Sequence, residues 1–300
     1  MEAVEPMEAI EKIQGINHIT WKQKMKSYKR TPLSFILWLL VNIAIFLTAA
    51  ILVFLIGYIL VKGVPYLNAG MFATEYTSEN VSLFPAVINT LMMTGLALLF
   101  AVPLGIFAAI YLVEYAKRGN KLVGIVRVTA ETLSGIPSIV YGLFGMLFFV
   151  TTLKWGLSIL SGAATLAIMI LPLIMRTSEE ALKSVPDSFR EGSFGLGAGR
   201  LRTVFKIILP SAVPGILSGV ILGVGRIVGE TAALMYTAGT VASVPQNIMG
   251  SGRTLSVHMY ALSSEGLHIN QAYATAVVLL ITVLLINAVS AFIAKRITKG

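Results

Sequence analysis

Arg226 and Glu230 follow directly on an uncharged run, residues 207–225, which is long enough to cross a bilayer. An arginine at the centre of such a helix costs about 2.5–3.5 kcal/mol on insertion scales, so its presence there points to function. Nineteen residues separate it from Lys206, and near the outer boundary snorkelling lowers the cost. A guanidinium presents a planar fork of donors suited to two oxygens of a tetrahedral oxyanion. Glu230, one turn on, is then expected to hold that fork and keep the empty site near neutrality. The bland alternative is a structural ion pair that serves helix packing, and a lone arginine cannot tell one tetrahedral anion from another. Ser211, Gly215, Gly219 and Gly223 recur every fourth residue. On a wheel of ~100° per residue these fall near 0°, 40°, 80° and 120°, with Arg226 near 60° and Glu230 near 100°. The charged pair is therefore expected to share a small-residue face that lets another helix approach closely.

A second cluster lies in residues 177–206. Pro186 is placed to open a helix over 187–196, and Gly195, Gly197 and Gly199 follow. Leu201, Val204, Phe205 and Ile208 then mark a second amphipathic helix that Pro210 is expected to end or kink. Two short helices meeting at a glycine-rich elbow allow positive φ and close approach of a partner's backbone. Pattern alone also fits an interfacial helix resting on lipid headgroups. Arg127 and Glu131 read as an interfacial ion pair, and Arg176 as a snorkelling anchor or a last anion contact. His258 sits in an outer amphipathic stretch, near a docking surface or without special role.

The elements that carry these residues are membrane spans. Of 300 residues, 56% are hydrophobic and only 12% charged, about half the charged share of soluble domains. Intervals free of Asp, Glu, Lys and Arg run over 31–61, 80–113, 132–153, 155–175, 207–225 and 266–294. Each is near or above the ~20 residues a spanning helix needs. A further stretch, 231–252, is too rich in Gly, Ser, Thr, Asn and Gln to face lipid as a regular helix, and is read as an extracytoplasmic or re-entrant loop within 231–265. Pro137, after Gly135, is expected to interrupt span three, with Thr132, Ser134 and Ser138 re-satisfying freed backbone groups. The fold class is thus all-α and integral to the membrane, with a six-span domain over 31–300. Residues 1–30 form a separate segment, where Glu2, Glu5, Glu8 and Glu11 alternate with Val4, Met7, Ile10 and Ile13 as in a short amphipathic helix.

Charge sets the orientation. With both termini cytoplasmic, 19 of the 23 basic residues fall inside, and only Lys62, Lys154, Arg226 and Arg253 do not. The net charge of +9 is explained by this topology, with no call for nucleic acid. No cysteine is present and the three histidines are scattered, so no metal, redox or cofactor site is expected. There is no GxxxxGK[ST] loop and no nucleophile–base arrangement, so catalysis is not expected of this chain.

Glu191-Gly192-Ser193, then Gly197, then Ile207 and Leu209-Pro210 resemble the EAA…G………I.LP motif of permease subunits of ATP-binding-cassette importers, with Gly192 and Ser193 where the family often has two alanines. In that family the loop docks into a cytoplasmic ATPase and transmits its closure. Residues 226–234 (RIVGETAAL), 135–144 (GIPSIVYGLF) and 103–114 (PLGIFAAIYLVE) resemble the permeases of phosphate importers, the PstA type more than the PstC type. The likeness runs from about residue 30 to the end. It implies the type I importer (MetI-like) fold in a bacterial or archaeal cytoplasmic membrane, and a heterodimer with a PstC-type permease. It also implies two copies of an ATPase, an extracytoplasmic phosphate-binding protein, and inorganic phosphate as substrate. Arg226, Glu230 and Arg176 then line the path, and Glu191, Gly192, Ser193, Gly197, Ile207, Leu209 and Pro210 form the coupling surface. The rivals are a sulfate or molybdate permease, an ion-coupled secondary transporter, which would carry its coupling carboxylates near mid-membrane, and a scaffold, which leaves the elbow and the arginine unexplained.

Overall fold

The structure is a computed structural model that describes residues 32–117 and 119–299. The amphipathic segment expected before residue 31 lies outside the described residues, as does Arg118. Among the described residues eleven α-helices follow in order: α1 Pro32–Gly63, α2 Phe84–Ile110, α3 Lys121–Ser134, α4 Ser138–Gly145, α5 Ile159–Lys183, α6 Asp187–Gly195, α7 Arg200–Thr203, α8 Leu209–Val228, α9 Ala232–Thr237, α10 Leu255–Glu265 and α11 Ile269–Lys299. Wider π-turns extend α2 over Tyr111–Tyr115 and α4 over Met146–Thr152, and join α7 to α8 over Val204–Ile208.

Among the described residues five helices are long and apolar enough to cross a membrane, and α3 with the extended α4, which meet at 103°, make a sixth candidate when the bent pair is counted as one span. Six spans were expected, but the third differs from the charge-free interval 132–153. Its first half is the charged helix α3, whose Lys121, Arg127 and Glu131 the interval left out. The break falls at Gly135–Pro137, because proline lacks an N–H and disfavours helical geometry in the residue before it. Thr132 and Ser134 do not repair it: their hydroxyls bond back to Val128 and Ala130 within α3. The Leu133 carbonyl at the broken end takes the Ile136 N–H at 3.1 Å and the Tyr141 hydroxyl at 2.7 Å instead.

The chain divides into two compact units, one ending at Tyr58 and the other beginning at Ile59. In the first, α1 is apolar and exposed almost all round. Asn42 and Thr48 are satisfied within the helix, by the Trp38 and Ala44 carbonyls, as hydrocarbon surroundings demand.

The second unit is built around α5, the most buried span. Leu166, Met169, Ile170 and Ile174 of α5 pack with Met93, Ala97 and Ala101 of α2, Ile227 of α8 and Leu234 of α9. The small-residue stripe on α8 works as expected at three of its four positions. A methyl group on Gly215 would stand 2.6 Å from the Ala181 side chain, one on Gly219 would overlap Thr177, and Gly223 faces Ile170 and Ile174. Ser211, the fourth, is exposed and bonds the Ile207 carbonyl. Pro210 does not end the helix, and Arg200–Val228 runs as one span. The extra residue of the π-turn sits just ahead of the proline, which occupies the first turn of α8 where its missing N–H is tolerated.

The polar stretch after α9 is irregular over 238–254 and is held by hydrogen bonds to the rest of the unit. Its Gly250 and Ile248 carbonyls accept the Ile159 and Leu160 N–H groups that open α5, both at 2.9 Å. Asn89, fully buried near the start of α2, donates to the Ser243 and Arg253 carbonyls at 3.1 and 3.2 Å. The neighbouring Thr90 hydroxyl accepts the Leu255 N–H.

Candidate functional site

At the elbow, α6 and α7 are joined through Gly197, whose φ of +81° needs glycine's freedom. Ser193 turns inward and its hydroxyl meets that of Thr203 at 2.8 Å, pinning α6 to α7. Glu191 and Gly192 face outward. So do Phe189, Phe194, Leu201 and Leu196, the last 91% exposed. Val204 and Ile208 are buried, and Ile207 and Leu209 pack beside them. Pro210 is exposed. The elbow thus presents a glycine-lined apolar surface with a glutamate on it, and roots itself through the inward side of the same helices.

What roots it most firmly escaped sequence reasoning. Arg190 forks onto Glu114, just past α2, with Nη2 and Nε 2.7 and 3.1 Å from Oε1. It also donates to the Leu182 and Val185 carbonyls at the end of α5, at 3.0 and 2.8 Å, and to Asp187. The only signal was Glu114 itself, an acid in the otherwise uncharged end of span two.

Between α3 and α5 lies a lattice of ions around a cavity of about 220 Å³. Buried Glu179 draws Arg127 to 2.7 Å and Lys183 to 2.6 Å, both on Oε1 and without hydrogen-bond alignment. Arg176 bridges Glu131 at 3.7 Å and Glu180 at 3.3 Å. The expected Arg127–Glu131 pair is replaced by these crossed contacts, because α5 brings its own carboxylates to face α3. Arg176 is exposed here, with its charge already answered by two acids.

Arg226 and Glu230 are not brought together. The helix that was to carry both ends at Val228, so the wheel no longer relates them. Glu230 is buried, and its carboxylate accepts the Ala233 N–H at 3.0 Å in the first turn of α9. A negative group is favoured at that end of a helix. Its carbonyl takes the Ser256 hydroxyl. Arg226 is half-buried, and among the described residues no carboxylate lies within ion-pair distance of it. Its charge acts on the Tyr141 phenol beside the break in the third span. A guanidinium with free donors therefore stands at the end of α8, near the one span that is bent.

At the opposite end of α2 from Glu114, His258 is fully buried, edge-on to Tyr76 with ring centroids 6.0 Å apart. Burial, and then the Arg253 charge, push its pKa down to about 3, opposed by the Val81 backbone, so the ring is neutral. It is a core group and not a surface one.

Residues 101–300 match the family described as the binding-protein-dependent transport system inner membrane component. A probable ABC transporter permease protein of Bacillus subtilis, YqgI, is 35% identical over 270 residues, covering 84% of this chain and 91% of that protein. The phosphate transport system permease protein PstA of Pasteurella multocida is 33% identical over 273 residues, 88% of this chain and 93% of its own. In the crystal structure of a bacterial alginate ABC transporter in complex with its pentasaccharide-bound periplasmic protein, one chain matches with a TM-score of 0.63 and 20% identity. That match covers 92% of this chain and 98% of the other, a likeness of fold alone. The candidate membrane spans, the elbow rooted between α5 and α8, and the family match over two thirds of the sequence lead to one conclusion: the chain belongs to the binding-protein-dependent transport system inner membrane components, the permease subunits of ABC importers, and is a transport subunit and not an ATPase.

Proposed function

We propose that this permease is the PstA-type half of an importer of inorganic phosphate. The names of relatives such as the Pasteurella multocida protein support the substrate. The observation that carries the chemistry is Arg226, a half-buried guanidinium with no carboxylate on it. Its fork fits two phosphate oxygens, and an arginine already tied to an acid would have to break that tie first. A PstC-type permease completes the pathway, two copies of a cytoplasmic ATPase receive the 186–205 elbow, and an extracytoplasmic binding protein delivers the anion. Both termini and the elbow face the cytoplasm, in keeping with the 19 basic residues on that side. Exposed Phe194 and Leu196 suit the apolar cleft of a partner, and the positive φ of Gly197 explains why that residue is glycine. Glu230 holds the α8–α9 corner and acts on the path through it.

The test is phosphate uptake in cells, normalised to assembled complex, with sulfate as competitor. Arg226→Lys keeps the charge but loses the fork, so uptake falls at least about tenfold, as expected for a lost charge-assisted hydrogen bond. The double change Arg226→Gln with Glu230→Gln stays inactive, because the two residues are not partners. Recovery of uptake in the double variant, or competition by sulfate as strong as by unlabelled phosphate, defeats the proposal.

A further inference from the structure

Arg253 lies at the end of α2 remote from the elbow. It is only 5% exposed, yet its Nε and Nη2 have no hydrogen-bond partner. Among the described residues no carboxylate stands within ion-pair distance. The guanidinium lies instead over the Tyr76 ring, 4.6 Å from its centroid. A ring face attracts a cation but offers no acceptor in the plane of the fork, so the donors remain unused. The surroundings sharpen the deficit. Arg253 precedes Thr254, which caps α10, and so places its charge at the positive end of that helix. His258, one turn in, contributes no negative charge. The unanswered guanidinium and the start of α10 both favour an anion.

Beyond the Tyr76 ring opens a cavity of about 530 Å³, lined also by Thr74, Glu75 and residues 241–244. The Arg253 N–H donates to the Val241 carbonyl at 2.9 Å, and Asn89 ties the Ser243 carbonyl to that of Arg253. Cavity wall and arginine are thus tied together, and the Tyr76 ring that covers the guanidinium also lines the cavity. Glu75 is exposed, and its charge is screened by solvent.

We propose that Arg253 is a second anion site of this permease: a tetrahedral oxyanion entering the cavity displaces the Tyr76 ring and is bound by the free Nε and Nη2, ahead of Arg226. That the oxyanion is phosphate rests on the function proposed above.

The chain contains no cysteine, so Ser243→Cys places one thiol in the cavity. The assembled importer, otherwise free of cysteine and reconstituted in proteoliposomes, is treated with a sulfonate-bearing or an ammonium-bearing methanethiosulfonate. Each is used with and without inorganic phosphate or sulfate. The sulfonate reagent is expected to react faster, by on the order of tenfold relative to Arg253→Met, and phosphate to slow it. Tyr76→Leu, which keeps the arginine and removes its cover, strengthens both effects, so the proposal remains testable if Arg253→Met fails to assemble. Unchanged preference and protection in Arg253→Met overturns the proposal, as does weaker protection in Tyr76→Leu. So does protection that appears only in Glu75→Gln, since that makes Glu75 the arginine's own counterion. A defect of Arg253→Met confined to docking of the binding protein also overturns it. If sulfate protects the thiol while the unmodified importer carries no phosphate, the site stands and the substrate assignment falls.

Discussion

Removing Arg190 exposes how the elbow is held. Its guanidinium supplies a fork to Glu114 and one donor each to the Leu182 and Val185 carbonyls. The Leu182 carbonyl belongs to the last turn of α5, where no intrahelical donor is available. The side chains are 15% and 8% exposed, so this is close to a buried pair. Arg190→Met strands a carboxylate and two carbonyls. We expect a loss of about 3 kcal/mol, the low end for breaking a buried ion pair, because the guanidinium keeps some contact with water. Arg190→Lys carries one ammonium and serves either Glu114 or the helix end, but not both. It is expected to lose about 1–2 kcal/mol. Adding Glu114→Gln to Arg190→Met removes the stranded charge and returns at least about 1 kcal/mol. Thermal unfolding of the purified complex measures the losses, and stimulation of ATP hydrolysis by the loaded binding protein reports coupling. Stimulation should fall in Arg190→Met while the ATPase still co-purifies, because the residues proposed to dock it are untouched. A variant within about 0.5 kcal/mol of the parent, or strict additivity of the two changes, refutes the latch.

Two further outcomes follow from the same geometry. Gly219→Ala forces α8 off Thr177 and should cost about 1–3 kcal/mol, whereas Gly225→Ala, which meets nothing within 4 Å, should be neutral or slightly stabilising, both read by thermal unfolding. His258 has its pKa pushed down to about 3, so folding favours the neutral ring, and its contribution is complete above pH ~6.5 and declines as pH falls from there toward 3. Between pH 7.5 and 5.5 the parent should lose about 1.4 kcal/mol that His258→Gln does not, and equal losses in both would remove histidine from the account.

The stripe on α8 and the broken third span were legible because glycine spacing and a Gly–Pro pair act locally. The pairing of charges was not. Arg127 and Glu131 are neighbours on one helix, yet each answers a residue of α5 that only tertiary packing brings near. The wheel that joined Arg226 to Glu230 presumed an unbroken helix, and Gly229, which follows its last residue, passed unread. Glu230 stands three residues before the N–H it accepts, an acid at a helix start, which was a readable sign of a cap. Arg190 and Glu114 are 76 positions apart and left no pattern between them. Arg253 was counted only for the side of the membrane on which it falls. The ring its guanidinium lies against is Tyr76, far earlier in the chain.

The side chain of Asn89 sets an order of events during synthesis. Its amide sits near the start of the second span, but its two acceptors are 154 and 164 residues downstream. At about 5–20 residues per second, the ribosome needs roughly 8–33 s to make the later one. Until Ser243 is made, ten residues before Arg253, the second span holds a polar amide with neither acceptor present, an unfavourable state in hydrocarbon. The second span therefore cannot settle on its own. The join opened near the beginning of the chain is closed only by the loop before α10, with α10 and α11 still to follow.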